Sequence, residues 1–275
     1  MKPNSIAAVV VAASLGFAAA RWLNTGDTQT RRTPNGQVDV SAPAPRVNGR
    51  PDLSGIWEAE RTPTAEFVRV LGPGLPDIQP DLNEVTKHVI NVFWDMKPDE
   101  VPIRPEAVAI TDARQKSGRD FQSAYCLPSS LPATTLTMNV KLVQGHDEIV
   151  VLHGSGDPPR EIYTDGRTLP DNPEPSWMGT SAGQWQDDTL IVETTGFQER
   201  AWLDNFGHPR SETMRITERF HRRDFGHMDL EMTFDDPKYY TRPFGFKTTM
   251  TLLPDDHLYE YVCTENQRFK DDVPK

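Results

Sequence analysis

From Ala133 towards the C-terminus, apolar side chains recur at every second position or in short unbroken runs. The segments "TTLTMNVKLV", "DEIVVLH", "REIYT", "DTLIVETTGF", "TMRITERFHR", "MDLEMTF", "FKTTMTLL" and "HLYEYVCTE" all follow this rule. A period of two puts alternate side chains on one face of an extended strand, whereas an amphipathic helix needs apolar residues three and four apart. Turn chemistry separates the runs at "QGHD", "DGR", "QDD", "RDFGH", "DDPKYYTRP" and "PDD". About eight strands joined by short connections predict an antiparallel meander, which most economically removes its unpaired edges by closing into a barrel.

The N-terminal half is patterned differently. "PDLSGIWEAE" predicts a first strand entered after Pro51, with Leu53, Ile56 and Trp57 as its apolar positions. A Pro-rich excursion over 61–125 follows. In it, "LPDIQPDLNEVTKHVINVFW" and "RPEAVAITDARQKSG" start near Pro and carry helix-compatible spacing, the second ending at Gly118. These predict two short helices. Residues 24–50 hold few large apolar side chains and many Pro, Gly, Ser and Thr, so they are expected to form a linker spanning about 30 Å.

Residues 1–23 contain the apolar run "SIAAVVVAASLGFAAARW", which has two readings. As a secretory signal it has Lys2 before an apolar stretch from Ile6 to Phe17 and a small-residue cleavage site at Ala18-Ala19-Ala20. As a retained anchor, Ile6 to Leu23 makes a helix of about 27 Å, marginal for a hydrocarbon core of about 30 Å. Ala8, Ala12, Gly16 and Ala20 would then form one face of small residues, the surface along which membrane helices pack closely. Both readings place residues 51–275 outside the cytoplasm, in the periplasm, either free or tethered to the inner membrane.

Charge narrows the partners. The 275 residues carry a formal net charge of −11, which argues against nucleic acid, because phosphate binding needs clustered Lys and Arg. The 36% hydrophobic content is enough for a real core. Two cysteines, Cys126 and Cys263, are too few for a disulfide scaffold and wrongly spaced for a zinc site. They are either two buried thiols or one bridge, which in an oxidising compartment would add on the order of 4 kcal/mol.

Gly55-x-Trp57 on a first strand, ahead of a meander, resembles the signature of lipocalins and other calycin barrels, in which the Trp plugs one end. The runs "REIYTDGRTLP", "PSWMGTSAGQWQDDTLIVETTGF", "WLDNFGHPRSETMRITERFHRRDFGHMDLEMTFDDPKYYTRPF" and "LYEYVCTENQ" resemble a large group of exported bacterial proteins, over residues 52–267. The resemblance implies export and a β-barrel, and brings no activity with it.

One strand breaks the apolar rule. In "TMRITERFHR", Met214, Ile216 and Phe220 share a face with Glu218, which points a carboxylate at the core. Glu265 likewise shares a face with Tyr259, Tyr261 and Cys263. A buried carboxylate must pair, bind something or stay protonated, and Arg160, Arg167, Arg219 and Arg242 are available partners. Two readings follow. Glu218 and Glu265 form an interior ion-pair network, or they line a cavity with Tyr163, Arg167, Trp177 and Trp185 that holds a small hydrophobic ligand. His221 and His227 flank a turn without the further ligands that a metal needs, and Ser181 lacks the Gly-x-Ser-x-Gly spacing of a nucleophile elbow. No metal or cofactor is expected. Trp202, Tyr239, Tyr240 and Phe244 lie in long loops and are expected to form an exposed docking surface.

No complete catalytic set is present. The expectation is therefore a non-catalytic exported barrel, either a small-ligand binder or an accessory subunit docked on a membrane protein complex. The alternative is a periplasmic hydrolase, lyase or isomerase using Glu218 with Arg219 or Tyr163 as acid–base groups.

Overall fold

A computed structural model describes residues 32–72, 86–117 and 121–263. The chain divides into two units, Met1–Asp39 and Val40–Lys275. Of the first, residues 32–39 form a tight turn closed by an Arg32–Val38 bridge and a hydrogen bond from Thr33 N to Gln37 O. The expected signal or anchor, with Ala8, Ala12, Gly16 and Ala20, lies outside the described residues.

Nine strands of the second unit close into a barrel. They are β1 (Gly55–Ala59), β2 (Val140–Gln144), β3 (Glu148–His153), β4 (Arg160–Tyr163), β5 (Thr180–Gln186), β6 (Thr189–Thr195), β7 (Arg215–Arg222), β8 (His227–Asp235) and β9 (Phe244–Leu252). Each pairs with the next in sequence, and β9 closes on β1 through Leu252–Trp57 and Met250–Ala59. The expected barrel is thus present, with one departure from an antiparallel meander. A ring of wholly antiparallel neighbours needs an even number of strands, so nine strands require a parallel junction. It falls between β4 and β5, which share only the pairs Ile162–Ser181 and Tyr163–Ala182.

Two predicted strands are corrected. Thr134–Leu136, the start of "TTLTMNVKLV", belong to a helical turn (α4, Ala133–Leu136) that follows Pro132, whose carbonyl accepts from Thr135 N. Residues 257–262 of "HLYEYVCTE" form no strand, because β9 already pairs β1 and leaves no free edge. Tyr259 and Tyr261 are accordingly exposed rather than inward. Conversely, β5 went unpredicted: "TSAGQWQ" is rich in small and polar residues. Gly183 sits where an added Cβ would lie 3.0 Å from Ile162 and 3.2 Å from Leu190, so an inward position on β5 has little room for a larger residue.

The excursion holds α1 (Thr64–Leu71), α2 (Lys87–Ile90) and α3 (Pro105–Ser117). The third matches its expectation. The first predicted helix, over 75–94, reduces in its described part to the single turn α2. The chain then turns at Val92, whose N–H donates to the Asp204 carboxylate at 2.9 Å. Part of the expected linker is also ordered against the barrel: Phe225 N donates to Ala42 O at 2.7 Å, and Arg46 pairs with Asp188 at 2.7 Å.

Alternate residues of the strands fill the interior, among them Val140, Leu142, Val192, Ile216, Leu230 and Met232, all buried. Trp57 is fully buried beneath the Arg222 guanidinium at 4.9 Å, and its indole N–H donates to Leu53 O at 2.9 Å. The opposite end is stoppered by rings: Phe93 lies 4.5 Å from Phe244, Tyr240 lies 4.7 Å from Phe244, and His88 stacks on Phe246 at 3.9 Å. This corrects the expected docking surface, because Trp202, Tyr240 and Phe244 are buried and only Tyr239 is half-exposed. Their loops fold back on the barrel end, where burying large rings gains more than exposing them. Cys126 and Cys263 are bridged, which fastens the segment after β9 to the turn before α4.

Candidate functional site

Arg160 and Glu218 point into the barrel from β4 and β7 and are 2% and 0% exposed. The guanidinium meets the carboxylate with both prongs: Nη1 donates to Oε1 at 3.1 Å and Nη2 to Oε2. Its Nε donates to Ser181 Oγ at 3.0 Å, and Nη2 also reaches Thr194 Oγ1 at 2.7 Å. Of the two readings of Glu218, the geometry is that of the interior ion pair. Ser181 is part of that network rather than a nucleophile. Arg219, next to Glu218, necessarily points to the opposite face, and it lines a cleft of about 390 Å³ on the outer wall with His221, Asp229, Glu231 and Lys247. Glu218, Arg219 and Tyr163 are therefore not assembled as an acid–base set.

A second cleft, of about 370 Å³, opens where the sheet is weakest, beside the parallel β4–β5 junction. After Tyr163 the chain leaves the sheet and returns through Ser176–Gly179. The Ser176–Phe197 bridge and the hydrogen bond from Ser130 Oγ to Trp177 O hold that return. Gly179 allows the re-entry, since it has φ of +68° and an added Cβ would sit 2.7 Å from Thr195 O. The cleft is walled by Pro158, Pro159, Tyr163, Trp177 and Met178, with Arg160 and Ser181 at its polar side.

Both rings in the cleft are braced by cations. Arg167 lies over Tyr163 at 3.7 Å and pairs with Asp165, while Arg200 lies over Trp177 at 4.7 Å. The Tyr163 hydroxyl donates to the Glu161 carboxylate, which pushes its pKa above the usual phenol range. It is a protonated donor, unsuited to act as a base.

The six expected ligand residues thus separate. Tyr163 and Trp177 share the β4–β5 cleft, and Arg167 braces it. Glu218 lies behind it, bound to Arg160. Trp185 belongs to a third cleft of about 350 Å³ at the other end of the barrel, with Arg50, Gln144, Ile149 and Thr164. Glu265 is outside the described residues. The residues that sequence reasoning missed are Pro158, Pro159, Met178 and Gly179, and the signal that could have found them is "DPPR" and "SWMG" flanking one strand junction.

His221 and His227 do not face each other: His227 Nδ1 is 2.8 Å from Asp224, and His221 contacts Thr189. Among the described residues, no group of three or more His, Cys, Asp or Glu is placed to hold a metal ion, and no helix is long and apolar enough to cross a membrane. No family model, no curated protein and no solved structure matches this chain.

Proposed function

We propose that the chain is an exported, non-catalytic β-barrel that binds a small hydrophobic ligand in the cleft beside β4 and β5. The observation that carries this reading is the convergence of Tyr163, Trp177, Met178 and two prolines on one cleft of about 370 Å³. That size suits a small molecule, and an apolar wall with a few polar groups is the usual make-up of such sites. Arg160 at its inner side is already neutralised by Glu218, and the further charged group of the lining, Glu161, accepts from the Tyr163 hydroxyl. The enzyme alternative needs a free carboxylate, and Glu218 has none to offer while it holds Arg160. The accessory-subunit alternative loses Trp202, Tyr240 and Phe244 as docking residues, because all three are inside. It keeps the N-terminal segment as its basis.

The test is a fluorescence titration with a panel of small aromatic and aliphatic compounds. A binder should lose at least tenfold in affinity on Trp177→Ala, with the urea midpoint unchanged. If no compound binds, or the binders ignore Trp177→Ala, this reading fails. Mass analysis of the mature chain tests export: a start at Arg21 means cleavage and a free domain, and a retained Met1 on a membrane-bound protein favours the tethered subunit.

A further inference from the structure

Arg210 lies in the loop between β6 and β7 and is fully buried. Its Nε donates to Gln198 O at 3.2 Å, its Nη1 donates to Leu131 O at 3.3 Å, and its guanidinium lies 4.7 Å from the centre of the Phe197 ring. Nη2 has no partner. Among the described residues no carboxylate pairs with it, and the one charge acting on it is Arg114, of the same sign.

The surroundings make this an exception. Asp204, in the same loop, accepts from Val92 N and His208 N and pairs with His208 at 2.6 Å. Asp236 accepts from the backbone and hydroxyl of Ser211. Arg160 has its carboxylate, and Arg222 donates to three backbone carbonyls. Among the described residues, Arg210 is the one fully buried cation with an unpartnered side-chain nitrogen. Burial and Arg114 pull its pKa down to about 9, which still leaves it charged at neutral pH. An uncompensated buried cation costs several kcal/mol, and buried orphan groups of this kind call for an ion or water. Trp202 Nε1, on the same loop, is a second buried N–H without a partner, and Arg114 stacks on that indole at 5.3 Å. Arg210 Nη2 is a pure donor, which suits an anion.

We propose that Arg210 Nη2 anchors a monatomic anion of the halide class beneath the β6–β7 loop. A halide is larger than a water molecule, so the site must offer more than the one-water minimum of about 10–15 Å³ by probe volume. An oxyanion would need more donors than Nη2 supplies, because Nε and Nη1 are already committed to carbonyls.

The experiment uses the full chain, unfolded in urea and refolded in sodium bromide or in sodium gluconate at equal ionic strength, so that burial does not block entry. Crystals from the bromide sample should give an anomalous peak within contact of Nη2. The urea midpoint should rise logarithmically with bromide, as binding to the folded state alone requires, and Arg210→Gln should abolish that rise. A water at Nη2 without anomalous signal, or a midpoint indifferent to bromide in the unaltered protein, overturns the proposal. Both readouts stand even if Arg210→Gln does not fold.

Discussion

Arg160 and Glu218 belong to strands that do not touch, yet their side chains close a two-pronged ion pair inside the barrel. Between them, Ser181 on β5 and Thr194 on β6 lie 2.9 Å apart, and each also bonds the guanidinium. One polar row therefore ties four successive strands together, across the junction where β4 and β5 share only two residue pairs. A one-residue slip of any of these strands would turn its member of the row outward. The pair thus fixes register where backbone pairing is thinnest.

Removing one partner should be expensive. Glu218→Gln strands a buried guanidinium and Arg160→Met strands a buried carboxylate, each at a cost of about 3–5 kcal/mol. The double replacement Arg160→Met with Glu218→Leu should recover most of that loss, since no lone charge remains. Urea denaturation of the three variants measures this. Additive losses in the double variant would show that the two residues act independently.

The bridge between Cys126 and Cys263 closes a loop 137 residues long in sequence. By chain entropy it should contribute on the order of 4–5 kcal/mol. We expect Cys126→Ser and Cys263→Ser to lower the urea midpoint by the same amount, and dithiothreitol to do so in the unaltered protein only. A reductant effect that persists in either variant would assign the loss to something other than this bond.

The barrel was legible because period-two alternation survives in most strands, and its closure followed from the need to bury edges. The plug at one end was not legible. Tyr240 sits in a Pro-rich loop and Phe244 opens β9 directly after it, in a stretch whose local pattern says surface, and only partners from other elements, Phe93 and Phe234, make burial favourable. Glu218 stood out because it broke the apolar face of β7. Its partner did not, because the register between β4 and β7 depends on two intervening strands. Arg210 gave no signal, since nothing in "GHPRSE" marks an arginine for burial.

Gly179 should tolerate no side chain. With φ of +68° and Thr195 O 2.7 Å from an added Cβ, Gly179→Ala combines backbone strain with a clash against main chain. A loss of about 1–3 kcal/mol is expected. The same change should weaken any ligand held by Trp177, two residues away, whereas Gly49→Ala, which carries similar backbone strain at φ of +78° but has open space around it and does not line the cleft, should leave binding unaffected. Equal binding by the Gly179 and Gly49 variants would separate the cleft from this turn.

Acid should destabilise the fold before the carboxylates titrate. His88 is 1% exposed, stacked on Phe246, and neither ring nitrogen has a hydrogen bond. Burial pulls its pKa down to about 4, against the upward pull of Asp95, whose carboxylate is 3.3 Å from Nε2 but half in solvent. Burial lowers His153 in the same direction. In the unfolded chain both titrate near 6.5, so below that pH the unfolded state binds more protons than the folded one. The contribution of His88 is then fully present above about pH 6.5 and falls as pH drops towards 4, by at most about 1.4 kcal/mol per unit, and that of His153 falls in the same direction. Glu66, held down to about 2 by its hydrogen bonds from Arg69 and Trp94, stays charged throughout this window. The urea midpoint should therefore fall between pH 6.5 and 5, and His88→Phe, which keeps the ring on Phe246 and removes the titrating nitrogens, should flatten that fall. If the variant loses stability as steeply as the parent, burial of His88 is not its source.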